Sequence, residues 1–431
     1  MRRNARKVSW ERFLESKHGI LDPQDTISRL PENVLQHMMS FLPPLDKDNV
    51  RFLSRKWRRL SAQNQAVLWL TKQRLNELEF PKLLNDEFQS VEFLSLTKCP
   101  GMRSLKLMNL KLVTVHLKYC GSLKNLYLNT PNLKTLYFHG PRVRPCTIEF
   151  INCQKLTILH LVGVAMNTMM FINCNERFPH LQTLTLGGCD MTGCINISSN
   201  SLHKLWFVGF NKPVGLTIDA PNLSSFKYNG STIAPDPNIN LPGLTIAYLE
   251  LYPDLNQKRD EIWFTRLTEM LHCLKHAKRL EFSTNSDKFY LHAGMQNVII
   301  PKYLRETLVP PLDEISWIAV RTSSGSANMV NLSDSMLWVS PRVNNLIICI
   351  SDFWEFILQL SREESSSRTP DSSCRFCALH PSRCWRHSVT GYVVNHTCCW
   401  IKQAMLSYLQ ENLKRVGRRA NDLDNTEMIQ Y

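Results

Sequence analysis

The sequence predicts an α/β protein in which a small three-helix segment comes first, an irregular solenoid of short repeats follows, and a helical cap closes the C-terminal end. Three observations predict it: apolar residues at helical spacing near the N-terminus, a leucine pattern that recurs about every 21 residues, and a final amphipathic stretch. A chain of 431 residues exceeds the usual size of one compact core, so an elongated repeat body is expected. The predicted boundaries are 1–24 for a basic flexible tail, 25–70 for the helical segment, 71–350 for the solenoid, 351–373 for a helix end with a serine-rich loop, and 374–431 for a Cys/His-containing cap.

The composition, with 43% hydrophobic and 20% charged residues, is typical of a folded protein and excludes global disorder. No run approaches the roughly 20 apolar residues that span a bilayer, and the N-terminus lacks the apolar stretch of a secretory signal. We therefore expect the nucleus and/or the cytoplasm, with no membrane partner. In such a reducing compartment the fourteen cysteines predict core filling more than a disulfide framework.

The formal net charge of +14 favours acidic partners, whether a protein surface, nucleic acid or an anionic membrane. The charge is spread along the chain. Its one terminal cluster, between Arg2 and Lys7, is read either as a nuclear-import patch or as a solvated tail, and the tail is the preferred interpretation.

A helix is predicted to begin at Pro31, because proline loses no hydrogen bond in a first turn and Glu32 meets the positive end of the helix dipole. Apolar residues then recur at helical spacing until Pro43–Pro44 ends the helix. A second helix with Leu53 and Trp57 and a third short element at 67–69 are expected to follow. Three short helices with this many large apolar side chains rarely bury all of them, so a partner or a neighbouring domain should cover the remainder.

The middle of the chain repeats the template Leu-x-x-Leu-x-Leu-x-x-Cys, which is typical of leucine-rich repeats. Three matches are complete: Val91, Leu94, Leu96 and Cys99; Leu112, Val115, Leu117 and Cys120; Leu181, Leu184, Leu186 and Cys189. Looser copies at half the interval predict that each repeat contributes an inner strand and often a second extended segment on the outer side. The template cysteines are expected to pack at the inner turn.

A stacked solenoid leaves alternate strand residues exposed along a concave surface. The predicted outward positions are Ser95, Thr97, His116, Lys118, Tyr127, Tyr137, His139, His160, Thr185, Trp206 and Lys227. Because binding surfaces are rich in Trp and Tyr, the candidates for substrate contact are Tyr127, Tyr137 and Trp206. After Tyr228 the repeats become irregular, with a helix expected over 260–278 and a strand over 279–282.

The C-terminal part contains the one constellation that resembles a metal site: Cys374, Cys377, Cys384 and His387. Their spacing allows a tetrahedral Zn²⁺ site. The alternative, which we prefer, is a structural role for these residues ahead of a closing helix from Ile401 to about Arg415. No resident cofactor or metal is therefore predicted.

The N-terminal segment resembles the F-box of plant F-box/leucine-rich-repeat proteins, which are substrate receptors of SCF-type (Skp/cullin/F-box) E3 ubiquitin ligases. The matching residues are Leu30–Pro31, Leu35, Phe41–Leu42–Pro43 and the run Leu53–Ser54–Arg55–Lys56–Trp57–Arg58. The resemblance implies that the segment binds a small acidic Skp-type linker subunit, and through it a cullin, while the repeats bind an unidentified target protein. The implied linker-binding residues are Leu30, Pro31, Val34, Leu35, Met38, Phe41, Leu42, Pro43, Leu53 and Trp57. A helical cap that only closes the repeat body is the alternative.

No phosphate-binding, dinucleotide-binding, zinc-protease or serine-hydrolase motif is present, so the chain is not expected to be an enzyme. The leading hypothesis is a substrate receptor that holds its target near the site of ubiquitin transfer. Two alternatives stay open at this point: a basic nucleic-acid-binding protein with a C-terminal zinc module, for which nucleic acid is the less favoured partner, and a repeat scaffold with no role in ubiquitin transfer.

Overall fold

The computed structural model describes residues 30–40, 67–72, 74–75, 78–86, 89–140, 146–165, 171, 174–189, 194–210, 214–251, 260–283, 299–312, 315–322, 329–350, 354–362, 384–396 and 399–413. The chain divides into two compact units, Met1–Thr192 and Gly193–Tyr431. Both consist mainly of parallel strands, which confirms the predicted solenoid-like repeat arrangement. Within the described residues, no helix has the length and apolar character needed to cross a membrane.

The first unit contains, in chain order, α1 (Glu32–Ser40), β1 (Val67–Thr71), α2 (Glu79–Asp86), β2 (Phe93–Thr97), β3 (Ser104–Leu107), β4 (Thr114–Lys118), β5 (Asn125–Leu128), β6 (Thr135–His139), β7 (Cys146–Phe150), β8 (Ile158–Val162), β9 (Val164–Ala165), α3 (Cys174–Arg177) and β10 (Thr183–Gly187). In its main sheet β1, β2, β4, β6, β8 and β10 pair in this order, all parallel. A second parallel sheet contains β3, β5, β7 and β9. Each repeat therefore supplies two strands, as the half-interval copies of the template predict.

The repeat length fixes how these strands align. Phe93, Thr114 and Thr135 begin β2, β4 and β6, so that successive main-sheet strands start 21 residues apart. In-register pairing then places equivalent residues side by side, and the second residue of each strand forms one fully buried column: Leu94, Val115, Leu136, Leu159 and Leu184. Burying each such side chain contributes about 1.5–3 kcal/mol, so the column is a main source of the unit's stability.

The template cysteines tie neighbouring repeats together. The thiols of Cys99, Cys120 and Cys189 donate to the carbonyl oxygens of Leu70, Leu96 and Leu161, at Sγ–O distances of 3.5, 3.7 and 3.6 Å. In each case the acceptor lies in the preceding main-sheet strand. The template therefore prefers a small side chain with a weak donor at this turn.

The sequence prediction for residues 67–69 is wrong. Residues 67–69 were expected in a third short helix but form β1 with Leu70, and in this strand Leu68 and Leu70 are buried while Val67 and Trp69 are exposed. This two-residue alternation is that of a strand, and in-register pairing of β1 with β2 satisfies its backbone. These residues therefore belong to the repeat body, which begins before residue 71.

The second unit contains β11 (Cys194–Ser198), β12 (Lys204–Phe210), β13 (Gly215–Asp219), β14 (Ser225–Gly230), β15 (Asn238–Asn240), β16 (Ile246–Leu251), α4 (Glu261–Cys273), β17 (Arg279–Ser283), α5 (Lys302–Thr307), β18 (Trp317–Thr322), α6 (Met329–Val339), β19 (Asn345–Ile350), β20 (Trp354–Arg362), α7 (Trp385–Ser388), β21 (Val389–His396) and α8 (Cys399–Asn412). In its main sheet β12, β14, β16, β17, β18 and β19 are parallel neighbours, and β20 and β21 add antiparallel strands. A smaller sheet contains β11, β13 and β15.

Helices replace the second strand in the later repeats. The predicted helix is present as α4, where the Asp260 side chain caps the first turn by accepting a hydrogen bond from the Trp263 N–H over 2.9 Å. The predicted strand that follows is also present, as β17. The expectation of a helix end within 351–373 is wrong for residues 354–362, because Phe356, Leu358 and Leu360 are buried at two-residue intervals and form β20.

A buried ionic cluster attaches the C-terminal helix α8 to α6. The carboxylate of Asp334 accepts from Arg305 Nη1 over 2.8 Å and from the Tyr408 hydroxyl, and Arg386 Nη2 lies 3.7 Å from it. Asp334 and Arg305 are each 7% exposed. Burial, together with the charge of Asp334, raises the pKa of Tyr408 well above its usual value, so the phenol stays protonated and remains a donor.

We predict that Asp334→Asn lowers the free energy of unfolding by about 3–5 kcal/mol, because it leaves the buried Arg305 guanidinium without its counter-ion. Tyr408→Phe removes one hydrogen bond to a charged group and should cost about 1.5–3 kcal/mol. Urea unfolding of the full chain, followed by circular dichroism, measures both values. Tyr392→Phe is the matched control and should leave the unfolding midpoint unchanged. Equal stability of Asp334→Asn and the native chain would contradict the proposed anchoring.

Candidate functional site

The first turn of α1 forms as the sequence predicts. The backbone N–H groups of Val34 and Leu35 donate to the Pro31 carbonyl oxygen over 3.1 and 3.2 Å. Because proline has no N–H, this turn begins without an unsatisfied donor at that position.

Three apolar side chains in α1 and directly before it are exposed. Val34 and Met38 are four residues apart, which is close to one helical turn, so they share a face of α1, and Leu30 lies two residues before the helix begins. Their exposed fractions are 36%, 39% and 41%. We call these three residues the apolar stripe. An exposed stripe of this kind is typical of a surface that another protein covers.

Leu35, which the sequence places at the same surface, is fully buried within the chain. It lies about a quarter of a turn from Val34 and points away from the apolar stripe. Its contribution is therefore to the packing of this segment and not to an exposed surface. The other predicted linker-binding residues, Phe41, Leu42, Pro43, Leu53 and Trp57, lie outside the described residues, so that their role stays a prediction.

A second candidate surface runs across the main sheet of the first unit. Five aromatic side chains from β1, β2, β4, β6 and β8 form a continuous series of ring contacts: Trp69, Phe93, His116, Tyr137 and His160. The successive ring centroids lie 5.6, 4.9, 4.7 and 5.5 Å apart, within the range of favourable aromatic pairs. We call this series the aromatic row. Trp69 at its end is 46% exposed, and the four following rings are half-buried.

Basic side chains accompany the aromatic row where the strands end. Lys72 and Lys98 directly follow β1 and β2, Lys118 ends β4, and His139 ends β6. Since the strands are parallel and in register, these ends lie along one edge of the sheet. We call the four residues the basic edge.

The strand ends share one backbone turn. The N–H groups of Lys72, Lys98 and Tyr119 donate to the carbonyl oxygens of Thr97, Lys118 and His139 over 2.9, 2.8 and 2.8 Å. Lys72, Lys98 and Tyr119 have φ values of 58°, 53° and 56°, in the left-handed region. The turn is therefore a repeated feature of the solenoid that displays one side chain per strand.

The two imidazoles of the aromatic row are electrostatically perturbed. Burial, and then the charge of Lys118, lowers the pKa of His116. Burial, followed by the nearby His139 and Lys118, lowers the pKa of His160. Both rings therefore favour their neutral form at physiological pH and act as aromatic, hydrogen-bonding groups more than as cations.

The three predicted substrate-contact residues do not lie on one sheet. Tyr137 is in the middle of the aromatic row, whereas Tyr127 is in β5 of the smaller sheet, where Lys106 Nζ lies 5.4 Å from its ring centroid. Trp206 is in β12 of the second unit, and its buried indole Nε1 has no hydrogen-bond partner among the described residues. The prediction that Thr185 is exposed is wrong: it pairs in register with His160 but is only 3% exposed.

Sequence reasoning did not identify Trp69, Phe93, Lys72 or Lys98 as site residues. Trp69 was missed because its strand was taken for a helix. Phe93 precedes the first template leucine of β2 by one residue, and its two ring contacts are diagonal across strands, so they depend on a register that one sequence does not give. A usable signal was the residue two positions beyond the last template leucine, which is Lys72, Lys98 or Tyr119 in three repeats.

Comparison with known families bears on the segment that contains the apolar stripe.

Residues 27–65 match the family model of the F-box domain.

The matched range includes the apolar stripe and the residues that carry the sequence resemblance. It supports an F-box region that precedes the repeat body in the sequence. No curated protein matches the chain at a significant level. The plant leucine-rich-repeat resemblance stays an interpretation of the sequence, while the strand solenoid fits a repeat region behind the F-box.

The predicted zinc alternative falls mostly outside the described part of the chain, which does not include Cys374 and Cys377. Cys384 is buried directly before α7, and His387 lies within that helix. The described residues contain no group of three or more His, Cys, Asp or Glu side chains arranged to hold a metal ion. The zinc alternative therefore stays untested.

We predict that the unfolding free energy of this chain falls as the pH decreases below about 6.5, in part because of His160. Between its lowered folded-state pKa and the unfolded value of 6.5, the unfolded chain binds a proton that the folded chain does not. The loss should level off once the pH is below the folded-state pKa. Two-dimensional NMR titration of the imidazole gives the folded-state value, and a midpoint at or above 6.5 would contradict the assignment.

We predict that iodoacetamide modifies Cys194 at least about 100-fold faster than Cys146 in the native chain at mildly alkaline pH. Burial raises the pKa of Cys146 to about 12, and only the thiolate reacts, whereas Cys194 is exposed. Mass spectrometry of timed digests measures both rates. In guanidinium chloride the two rates should become equal, and equal rates in the native chain would show that Cys146 is not protected as described.

Proposed function

We propose that this chain is the substrate receptor of an SCF-type E3 ubiquitin ligase. Its F-box binds a Skp-type linker subunit, which connects it to a cullin, and its strand repeats bind the target protein. The observation that carries the proposal is the exposed apolar stripe on α1 within the residues that match the F-box model. F-box domains generally bind Skp-type subunits, and an apolar stripe is what such an interface needs.

The energetics of the stripe fit a role as an interface anchor. Fully burying a Val, Leu or Met side chain contributes about 1.5–3 kcal/mol, and each member of the stripe still exposes more than a third of its surface. Three partly covered anchors therefore have several kcal/mol to contribute to a complex, with additional contacts expected from the remainder of the F-box match.

The repeats supply a second, separate surface for the target. Half-buried aromatic side chains on a sheet face provide contact area at low entropic cost, because their neighbours already restrict them. The chain itself then needs no catalytic group. It would accelerate ubiquitin transfer by raising the effective concentration of the target near the conjugating enzyme.

We predict that the double substitution Val34→Asp and Met38→Asp weakens binding of the Skp-type linker by at least about 100-fold, because two carboxylates would be desolvated where apolar groups were buried. Isothermal titration calorimetry with the purified full chain measures the dissociation constant. Asn33→Asp is the matched control: it adds a carboxylate at an exposed position of the same helix that lies outside the apolar stripe, and it should bind normally.

Leu35 is a poor choice for this test because its burial makes misfolding the expected result. Unchanged far-ultraviolet circular dichroism should accompany the Val34/Met38 variant. If that variant is folded and still binds the linker with native affinity, the proposed interface is wrong. If it loses the linker while its bound proteins do not become more abundant in cells, the chain acts as a repeat scaffold and not as a ligase receptor.

A further inference from the structure

We propose that the aromatic row and the basic edge of the first unit together bind an extended acidic peptide segment of the target protein, with apolar side chains interspersed among its carboxylates. This inference rests on the proposed receptor function and specifies the chemistry of what the receptor selects. Three observations support it: the positive charge of the basic edge, the spacing of the strands, and the continuous ring contacts within the aromatic row.

Three lysines of the basic edge have no ionic partner within the part of the chain that the structure describes. Lys72, Lys98 and Lys118 are exposed, and none of them forms an ion pair with another described residue. The described residues that end or directly follow β1, β2, β4 and β6 include no aspartate or glutamate. Lysines that lie side by side repel one another and favour an acidic ligand, since each gains a charge-assisted contact on binding.

The strand spacing sets the size of the ligand. Neighbouring strands lie about 4.8 Å apart, so the four strand ends of the basic edge span about 14 Å. An extended peptide rises about 3.3 Å per residue, and four to five residues cover this distance. A segment with two or three carboxylates within that length can therefore contact several members of the edge at once.

The aromatic row favours a peptide over a single-stranded nucleic acid. Its rings already contact one another in sequence, with centroids 4.7–5.6 Å apart, and two of the four pairs are edge-to-face. No gap is left for a base to enter between two rings, and edge-to-face pairs do not offer the flat stacking platform that single strands use. A closed series of half-buried rings instead provides an apolar surface for aliphatic or aromatic side chains.

The exposed end of the row gives the ligand an anchor. Trp69 lies in β1, its indole stacks on Phe93 at 5.6 Å, and almost half of its surface is exposed. Lys72 follows the same strand by one residue. Tryptophan dominates many interfaces when a pocket or a neighbouring ring holds it in place, so this corner joins the strongest apolar anchor to the first cation.

The test uses a displayed library of random peptides selected against the purified full chain. We expect the selected peptides to be enriched in Asp and Glu together with Leu or aromatic residues. The best peptide, labelled with fluorescein, is then compared with its Asn/Gln counterpart by fluorescence polarisation. The acidic peptide should bind at least about tenfold more tightly.

Two variants locate the binding surface. The triple charge reversal Lys72→Glu, Lys98→Glu and Lys118→Glu should weaken binding of the labelled peptide at least about tenfold, and Trp69→Ala should weaken it by a similar factor. The matched control reverses Lys111, Lys124 and Lys134, which are exposed lysines of the same unit outside the basic edge, and should bind like the native chain. Thermal unfolding checks that all variants are folded.

Several results would overturn the inference. They are enrichment of peptides without acidic residues, equal weakening by the two triple variants, or tighter binding of labelled oligo-deoxythymidine than of the acidic peptide at the same salt concentration. Linker binding, measured on the same variants, should be unchanged throughout. A failure of the peptide test with normal linker binding therefore disproves only the inference, whereas a failure of the Val34/Met38 test disproves the proposed receptor role.

Discussion

The first unit depends on the in-register pairing of its parallel strands. A column of buried apolar side chains, one from each main-sheet strand, enforces that register. Leu94, Val115, Leu136 and Leu159 lie side by side because their strands start at nearly constant intervals. A shift of one residue would move each of these side chains to the opposite face and replace it with a half-exposed polar or aromatic one. The core therefore fixes the register without any contribution from the surface.

Both proposed surfaces of this unit's main sheet are consequences of that register. Because the column fixes which residues face inward, it also fixes that His116 lies opposite Tyr137 and Tyr137 opposite His160. The same alignment brings the strand ends to one edge, where a repeated left-handed turn displays Lys72 and Lys98. A repeat sequence thus converts a one-dimensional period into two parallel rows of side chains.

The sequence predicts well those features that depend on period alone. The leucines of the template locate β2, β4 and β10, and the half-interval copies predict a second strand per repeat. Short apolar runs are ambiguous, and residues 67–69 were assigned to a helix because three consecutive apolar or aromatic positions fit either period. Tyr127 was placed with Tyr137 because spacing alone does not distinguish the inner strand of a repeat from the outer one.

The site is harder to predict than the fold, since its contacts join different repeats. Phe93 reaches His116 and Trp69 diagonally, which becomes evident only when the register is known. The stripe on α1 is a different case. Helical spacing placed Val34, Leu35 and Met38 together correctly as apolar residues, but which of them faces inward depends on what packs against the helix. Local periodicity therefore identifies candidates, and tertiary packing selects among them.

The aromatic row and the basic edge would contribute differently to recognition, because their side chains differ in mobility. The rings of the aromatic row are held by their neighbours, so a ligand that contacts them loses little conformational entropy in ordering them. Their contacts should mainly slow the dissociation of the ligand. The lysines of the basic edge carry long, flexible side chains in solvent, where charge accelerates encounter and discriminates against neutral or basic segments more than it adds affinity. An acidic segment that also places an apolar side chain on the row satisfies both conditions, whereas a merely acidic surface satisfies one. Selectivity of this kind needs no deep pocket, only the register that the buried column already imposes.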